Sequence, residues 1–423
     1  MLKPETKAAY IAILKEELVP ATGCTEPIAV AYGAAKLRQV LGALPEKVLA
    51  EISGNIIKNV KSVVVPNTGG LKGIRAAIAV GIVAGEADRE LQVISSVPAE
   101  RHGEIAAYMD GTPIEITCSD TPRMLDIRLT GWAGGHSAMV HIANNHSNIV
   151  TIEKDGACLL EKPMDNSSES GLTDKKVLNL KDILDFADTV ELSLVSDVLE
   201  RQIRYNTAIA EEGLKHDWGA NIGSTLLQTY GDDVRVEAKA WAAAGSDARM
   251  SGCEMPVVIN SGSGNQGITS SLPVVRYAKH LGATQEQLYR ALLVSDLVTI
   301  YQKAGIGRLS AYCGAVSAGV GAGAGIAYLQ GAGYDAVSHT ITNAVAILSG
   351  TICDGAKPSC AAKIAASVDA GLLGYQMYLS GKNFQGGDGI LGQDVSETVA
   401  NVGVLAKEGM RSTDRTILRI MTQ

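Results

Sequence analysis

No charged side chain occurs between Arg308 and Asp335, and this interval is built largely from glycine and alanine, as in Gly319-Val-Gly-Ala-Gly-Ala-Gly325. A run without charge must be buried. It lacks the Leu, Ile and Phe density that makes insertion into hydrocarbon favourable, so we expect a helix packed tightly inside a protein rather than a membrane span. The rest of the chain agrees, with 46 glycines, only two Phe and 4% aromatic residues. Such a core closes by backbone approach, small residues letting helices lie near one another. With 423 residues, 46% hydrophobic and 19% charged, the chain is a folded globular one, with two domains or one large core carrying an insertion.

The 37 basic and 45 acidic side chains give a net charge of -8, and no Lys/Arg-rich run is interleaved with aromatics, so nucleic acid is not an expected partner. Met1-Leu-Lys-Pro-Glu-Thr-Lys7 has no apolar run leading to a cleavage site, which predicts a cytoplasmic protein without a secretion signal. Seven cysteines are an odd number in such a chain, so their thiols are expected free, buried or ligating rather than in a disulfide framework.

Residues 5–18 have helical spacing, Tyr10, Ile11, Leu14 and Leu18 forming an apolar stripe. Apolar runs at Val48–Ile52 and Ser62–Val65 read as strands, and Pro66-Asn-Thr-Gly-Gly70 is a turn opening a helix over 71–84. From residue 90 the period shifts toward two, predicting strands at Leu91–Ser96, Pro113–Cys118, Met124–Leu129, His136–Ile142 and Asn148–Glu153. Lys162–Gly171 is polar and turn-forming. Beyond it, helices are predicted over 180–213, 219–231, 233–250, 268–281, 285–303, 309–330, 335–350, 360–379 and 392–408. The expected fold is α+β: a predominantly helical domain, residues 1–88 and 166–423, with an inserted small β-containing (α/β) unit over 89–165. The Gly/Ala-rich helical surface suits a homodimer.

Cys313 stands in Ala311-Tyr-Cys-Gly-Ala315, and Cys353 and Cys360 bracket a loop that Gly355 and Pro358 keep from being regular helix. Two thiols seven residues apart can there turn toward a common point, and a third can complete a triangle. Soft thiolates select iron–sulfur clusters, zinc or copper(I), and the short spacings of structural zinc sites are absent. Spacing alone leaves open that the three are small apolar residues of a Gly/Ala core. Cys24, in Pro20-Ala-Thr-Gly-Cys-Thr-Glu-Pro27, precedes a helix whose N-terminal dipole would lower its pKa, an effect Glu26 would oppose unless it points away. Cys118 and Cys158 read as structural, and Cys253 as a reserve ligand.

Two loops look built for small anions. Asn260-Ser-Gly-Ser-Gly-Asn-Gln-Gly267 gathers glycines and amides before a helix, and Pro66-Asn-Thr-Gly-Gly-Leu-Lys-Gly73 repeats the logic. Each taken singly is as well explained as a tight turn. Together, without a P-loop or Rossmann fingerprint, they favour a small amino or carboxylic acid over a nucleotide.

Ala21-Thr-Gly-Cys-Thr-Glu-Pro27, Asn67-Thr-Gly-Gly70, Asn260–Gly267 and the Cys313, Cys353, Cys360 set together resemble, in order along the whole chain, the L-cysteine desulfidases. That family is related to the iron–sulfur L-serine dehydratases and is described as serine dehydratase alpha-like. The resemblance implies a lyase that converts L-cysteine to pyruvate, ammonia and hydrogen sulfide with a [4Fe–4S] cluster acting as Lewis acid. It implies Cys313, Cys353 and Cys360 as cluster ligands, with one iron left open for the substrate carboxylate and leaving group, and Cys24 as the base. Thr25, Asn67, Thr68, Gly69, Gly262, Ser263, Gly264, Asn265 and Gln266 would bind the amino-acid substrate. Three alternatives stand beside it: an iron–sulfur L-serine dehydratase, a pyridoxal-phosphate eliminase and a non-enzymatic metal or redox sensor. The second rests on an echo of the Ser-x-Gly-Asn-x-Gly loop at Ser261–Gly267, but no phosphate cup follows.

Overall fold

The N-terminal apolar stripe forms α1 (Pro4–Glu17), which buries Tyr10, Ile13 and Leu14 completely and leads into a short strand, β1 (Pro20–Thr22). The protein is described as a computed structural model over residues 2–121, 123–163, 172–307 and 310–422.

A sheet-containing unit follows: α2 (Thr25–Leu41), β2 (Lys47–Ile52), α3 (Gly54–Val60), α4 (Gly73–Ala84), α5 (His102–Gly111), β3 (Ile114–Cys118), β4 (Asp126–Ala133), β5 (His136–Ala143), β6 (Ile149–Lys154) and β7 (Ala157–Glu161). The strands form one six-stranded sheet in the order β3-β2-β4-β5-β6-β7, with β2 and β3 parallel and the other pairs antiparallel. Gly134-Gly135 and Asp155-Gly156, all at positive φ, close the β4–β5 and β6–β7 hairpins with two-residue turns whose twist matches that of the strands. Alternation along β4 buries Ile127 and Leu129 while Arg128 stays exposed, and α2 packs against β4 and β5.

Leu91–Ser96 is not a strand. Ala87–Gln92 is a 3-10 turn, and Val93 and Ile94 are buried in a loop that the Asn67 side chain ties down by donating to the Ile94 carbonyl at 2.8 Å. At Ser62–Val65 a single bridge, Val64 to Lys72, replaces the expected strand.

The helical part resumes with α6 (Leu180–Thr189), α7 (Ser196–Lys215), α8 (Ile222–Tyr230), α9 (Val234–Met250), β8 (Pro256–Val258), α10 (Gly264–Leu281), α11 (Gln285–Ile306), α12 (Gly314–Leu329), α13 (Tyr334–Ile347), α14 (Cys360–Leu379), α15 (Val395–Val404) and α16 (Met410–Thr422). The helix expected over 180–213 is broken in two by a 3-10 turn at Leu192–Leu194. Residues 164–171 of the expected polar loop, and residue 309 of the expected helix over 309–330, lie outside the described residues.

β1 pairs antiparallel with β8, so the N-terminal segment belongs to the helical part. One apolar core joins Tyr10–Ala21 to residues from Leu178 to Ala406, and another runs from Ile28 to Ile152. β2 and its covering helices share this second core with β3–β7, on both sides of residue 89. The fold is α+β and mainly helical.

The Gly/Ala run is the central helix α12. A Cβ on Gly321 would stand 2.2 Å from Thr299 Oγ1, and one on Gly323 would stand 2.7 Å from the Gly371 carbonyl, so α11 and α14 approach to backbone distance. Among the described residues no helix is long and apolar enough to cross a membrane.

Candidate active site

Four segments from both parts of the molecule line one small cavity of about 100 Å³. The first is the turn into α2, with Cys24 as the residue before the helix and Thr25 and Glu26 in its first turn. Gly23 makes this turn at φ +67, and a Cβ there would lie 2.4 Å from Pro66 Cγ. The 66–70 loop is thereby wedged behind the cysteine. The second segment is the loop before α10, contributing Gly262, Ser263, Asn265 and Gln266.

The third and fourth segments carry Cys313, Cys353 and Cys360. Tyr312 and Ile352 form an antiparallel bridge, reinforced by Cys313 N–H to Thr351 O at 2.9 Å and Cys353 N–H to Ala311 O at 2.7 Å. Cys313 and Cys353 are thus side by side and hydrogen-bonded through sulfur. After Gly355, at φ +99, the chain turns back so that Cys360 opens α14 and packs against the small apolar cluster of Cys24, Val63 and Met250.

The hydrogen bond from the Cys313 thiol draws Cys353 down to about 6 against the effect of burial, with Lys58, the Gly355 N–H and Lys363 acting in the same direction. Donating that bond, together with burial, pushes Cys313 well up, and burial pushes Cys360 up. Of the three thiols, Cys353 is thus the one most readily held as thiolate, the form in which cysteine binds metal. Among the described residues no three His, Cys, Asp or Glu side chains converge as ligands of one metal ion do. Thiolates that bind different irons of a cluster need no such common point.

Cys24 departs from the expectation. Burial and the neighbouring Glu26 carboxylate push its thiol well up, outweighing Arg249, so it is protonated and donates to Glu26 Oε2 at 3.0 Å. Glu26 points at the thiol, not away from it. Thr25 Oγ1 also stands 3.1 Å from Oε2, and Asn59 donates to Oε1 at 3.1 Å. Burial would raise the Glu26 carboxyl, but His146, the Cys24 hydrogen bond and Arg249 prevail and hold it below the usual carboxylate range. The pair is a protonated thiol beside an ionised carboxylate.

The loop before α10 is pinned from below. Asn260 Nδ2, Gln202 Nε2 and Ser270 Oγ all donate to Asp296 Oδ1, at 3.0, 3.0 and 2.7 Å. Burial pushes Asp296 up to about 6 from an ordinary 3.8, against those three hydrogen bonds. Because the folded chain binds this proton more tightly than the unfolded one, the ionised carboxylate costs stability. The cost is absent below the ordinary value and complete above about 6. Asp296→Asn keeps the accepting oxygen and cannot ionise. Denaturant titrations at pH 7.5 and 4.5 are expected to show wild type gaining about 2 kcal/mol on the variant at the lower pH. A difference independent of pH would contradict the assignment.

Cys24, Thr25, Gly262, Ser263, Asn265, Gln266, Cys313, Cys353 and Cys360 come together at the cavity. Gly264 stands behind its wall as the first residue of α10. Asn67, Thr68 and Gly69 do not line it. Asn67 holds Ile94, Thr68 Oγ1 donates to Val65 O at 2.7 Å, and Gly69 lies beside the His102 ring, while Pro66 of the same loop packs against Gly23. Cys118 and Cys158 are exposed, and Cys253 is buried away from the site. The cavity also receives Tyr312, next to Cys313, together with Asn59, His146, Arg249 and Lys303, which carry no local signal in sequence because each arrives from a separate element. A larger groove of about 820 Å³ among Lys181, Asp188, Arg290 and Tyr328 gathers no thiol or comparable constellation.

Residues 88–419 match the family described as serine dehydratase alpha chain. This span holds Cys313, Cys353, Cys360 and the loop before α10; the Cys24 turn precedes it. Over 412 residues the chain is 57% identical to a UPF0597 protein of Desulfitobacterium hafniense, covering 97% of this chain and 96% of that one. A UPF0597 protein of Treponema denticola is 48% identical with 97% of each covered, and one of Fusobacterium nucleatum is 46% identical with 99% and 100% covered.

Proposed function

This chain belongs to the serine dehydratase alpha-chain family, and from that premise we propose that it is a lyase catalysing β-elimination of a small L-amino acid. The preferred substrate in this reading is L-cysteine, giving hydrogen sulfide, ammonia and pyruvate. The observation that carries the reading is the hydrogen bond between a buried thiol, Cys24, and an ionised carboxylate, Glu26, in the same cavity as three further cysteines.

Cys313, Cys353 and Cys360 would hold a [4Fe–4S] cluster, and their chemistry fits it: three sulfur donors at one cavity, one of them drawn toward thiolate by its neighbours. When bound, the cluster supplies a Lewis acid that stabilises negative charge on the departing heteroatom. The remaining chemistry falls to the chain's own residues. Glu26 Oε2 takes the Cys24 proton, and the resulting thiolate removes the proton from Cα. That electron pair forms the Cα–Cβ double bond as the Cβ–heteroatom bond breaks, and protonated Glu26 can return its proton to the leaving group. The enamine tautomerises to an imine and hydrolyses in water to pyruvate and ammonia. Cys24 and Glu26 are 3% and 8% exposed, so the proton moves in a medium of low dielectric where a misplaced charge is costly.

L-serine dehydration is the second reading, favoured by the description of the family itself. The two differ only in the leaving atom. Anaerobically prepared, iron-reconstituted protein is expected to release sulfide and pyruvate in equal amounts from L-cysteine, with kcat/KM at least tenfold above that for L-serine. A reversed ratio would make the protein a dehydratase. No pyruvate from either substrate, with iron and sulfide bound, would overturn the lyase reading.

A further inference from the structure

We infer that the Arg249 guanidinium and the first turn of α10 form the recognition site for the substrate's α-carboxylate, so that the cavity takes free, small α-amino acids and refuses their amides and esters. The catalytic consequence rests on the lyase reading above; the binding site does not.

Arg249 lies in the last turn of α9, is only 3% exposed and lines the cavity. Its Nη1 donates to Asn265 Oδ1 at 3.0 Å, a neutral acceptor, while Nε is buried without a hydrogen-bond partner among the described residues. The nearby carboxylate does not supply one. Glu26 Oε2 is engaged by Cys24 and Thr25, and Oε1 by Asn59. A buried guanidinium left this way costs folding free energy unless an anion completes it.

The same point is reached by a helix terminus. Ser263 precedes α10 with no side-chain cap, so the N–H groups of Gly264, Asn265 and Gln266 have no partner within the helix. A Cβ on Gly264 would stand 2.3 Å from Arg249 Nε, which puts the guanidinium directly over the first helical residue. A fixed positive charge and the free donors of a helix N-terminus therefore meet where Ser263, Asn265 and Gln266 line the wall. Planar, bidentate recognition of a carboxylate is what arginine does better than lysine. Gln266 adds a buried Oε1 without a partner among the described residues, an acceptor for the α-ammonium. A cation with free N–H donors beside a lone acceptor, in about 100 Å³, matches a free amino acid and excludes a peptide.

L-alanine carries both groups and has no leaving group, and L-alaninamide differs from it only in the carboxylate. Titrated by calorimetry into the full-length, anaerobically prepared wild-type protein, L-alanine is expected to bind at least tenfold more tightly than L-alaninamide. In Arg249→Met, L-alanine is expected to lose at least tenfold in affinity with alaninamide little changed, and Arg249→Lys should recover only part of the loss. Equal binding of the two ligands to wild type, or no binding of L-alanine, would overturn the inference even if the variants fail to fold. So would undiminished L-alanine affinity in a folded Arg249→Met. Carboxylate-dependent binding without any pyruvate formation would leave this site standing and sink the lyase reading. Pyruvate formation by a protein that binds both ligands equally would do the reverse.

Discussion

Replacing Cys24 with alanine is expected to lower kcat by about 10²–10⁴-fold, the range a general base contributes, while the visible absorption of the reconstituted protein is retained. The direction follows from what the thiol touches. It donates its proton in a hydrogen bond to Glu26 Oε2 at 3.0 Å, and Cys360 packs against the small apolar cluster to which Cys24 belongs. Serine is not a rescue, because an alcohol holds its proton far more tightly than a thiol and the Glu26 carboxylate is held below the usual range. Cys24→Ser is therefore expected to lose nearly as much as Cys24→Ala. Loss of the absorption in either variant would make Cys24 a ligand. An undiminished rate would remove it from the chemistry.

Much of this site could be read before any fold was known, and the limits of that reading are physical. Cys353 and Cys360 stand out because Gly355 and Pro358 between them forbid regular helix, and the structure turns that break into a reversal that brings Cys360 back toward Cys313 and Cys353. The uncharged run at α12 could only be interior. By contrast, Asn67-Thr-Gly-Gly70 has the composition of a ligand loop and lies outside the cavity lining. Its side chains are spent on Ile94 and Val65, a distinction that long-range packing alone decides. Glu26 looks like an opponent of Cys24 when only dipole and charge are weighed. It becomes a partner once the helix start places its carboxylate on the thiol. Arg249 and Asp296 carry no motif, for they act through elements distant in sequence. The extent of the sheet is likewise decided by long-range pairing. Lys47–Ile52 is separated from Ile114–Cys118 by three α-helices, yet pairs with it strand to strand. Leu91–Ser96, apolar enough for a strand, finds no partner and stays a buried turn.

Changing any one of Cys313, Cys353 or Cys360 to serine is expected to abolish both the bound iron and the turnover, the largest effect in the molecule. A hard alkoxide precursor does not replace a soft thiolate. Cys353→Ser also removes the thiol that the Cys313 hydrogen bond, Lys58 and Lys363 together draw down to about 6. Loss of metal through a failed fold is distinguishable by circular dichroism, since the three residues lie at a loop and at helix starts and not within the two apolar cores' centres. The decisive measurement is iron, acid-labile sulfide and pyruvate formation from L-cysteine, determined on the same anaerobic samples of wild type and the three serine variants. We expect the wild-type rate to rise in proportion to cluster content and the variants to have neither cluster nor activity. An iron-free variant turning over L-cysteine at the wild-type rate would contradict the account.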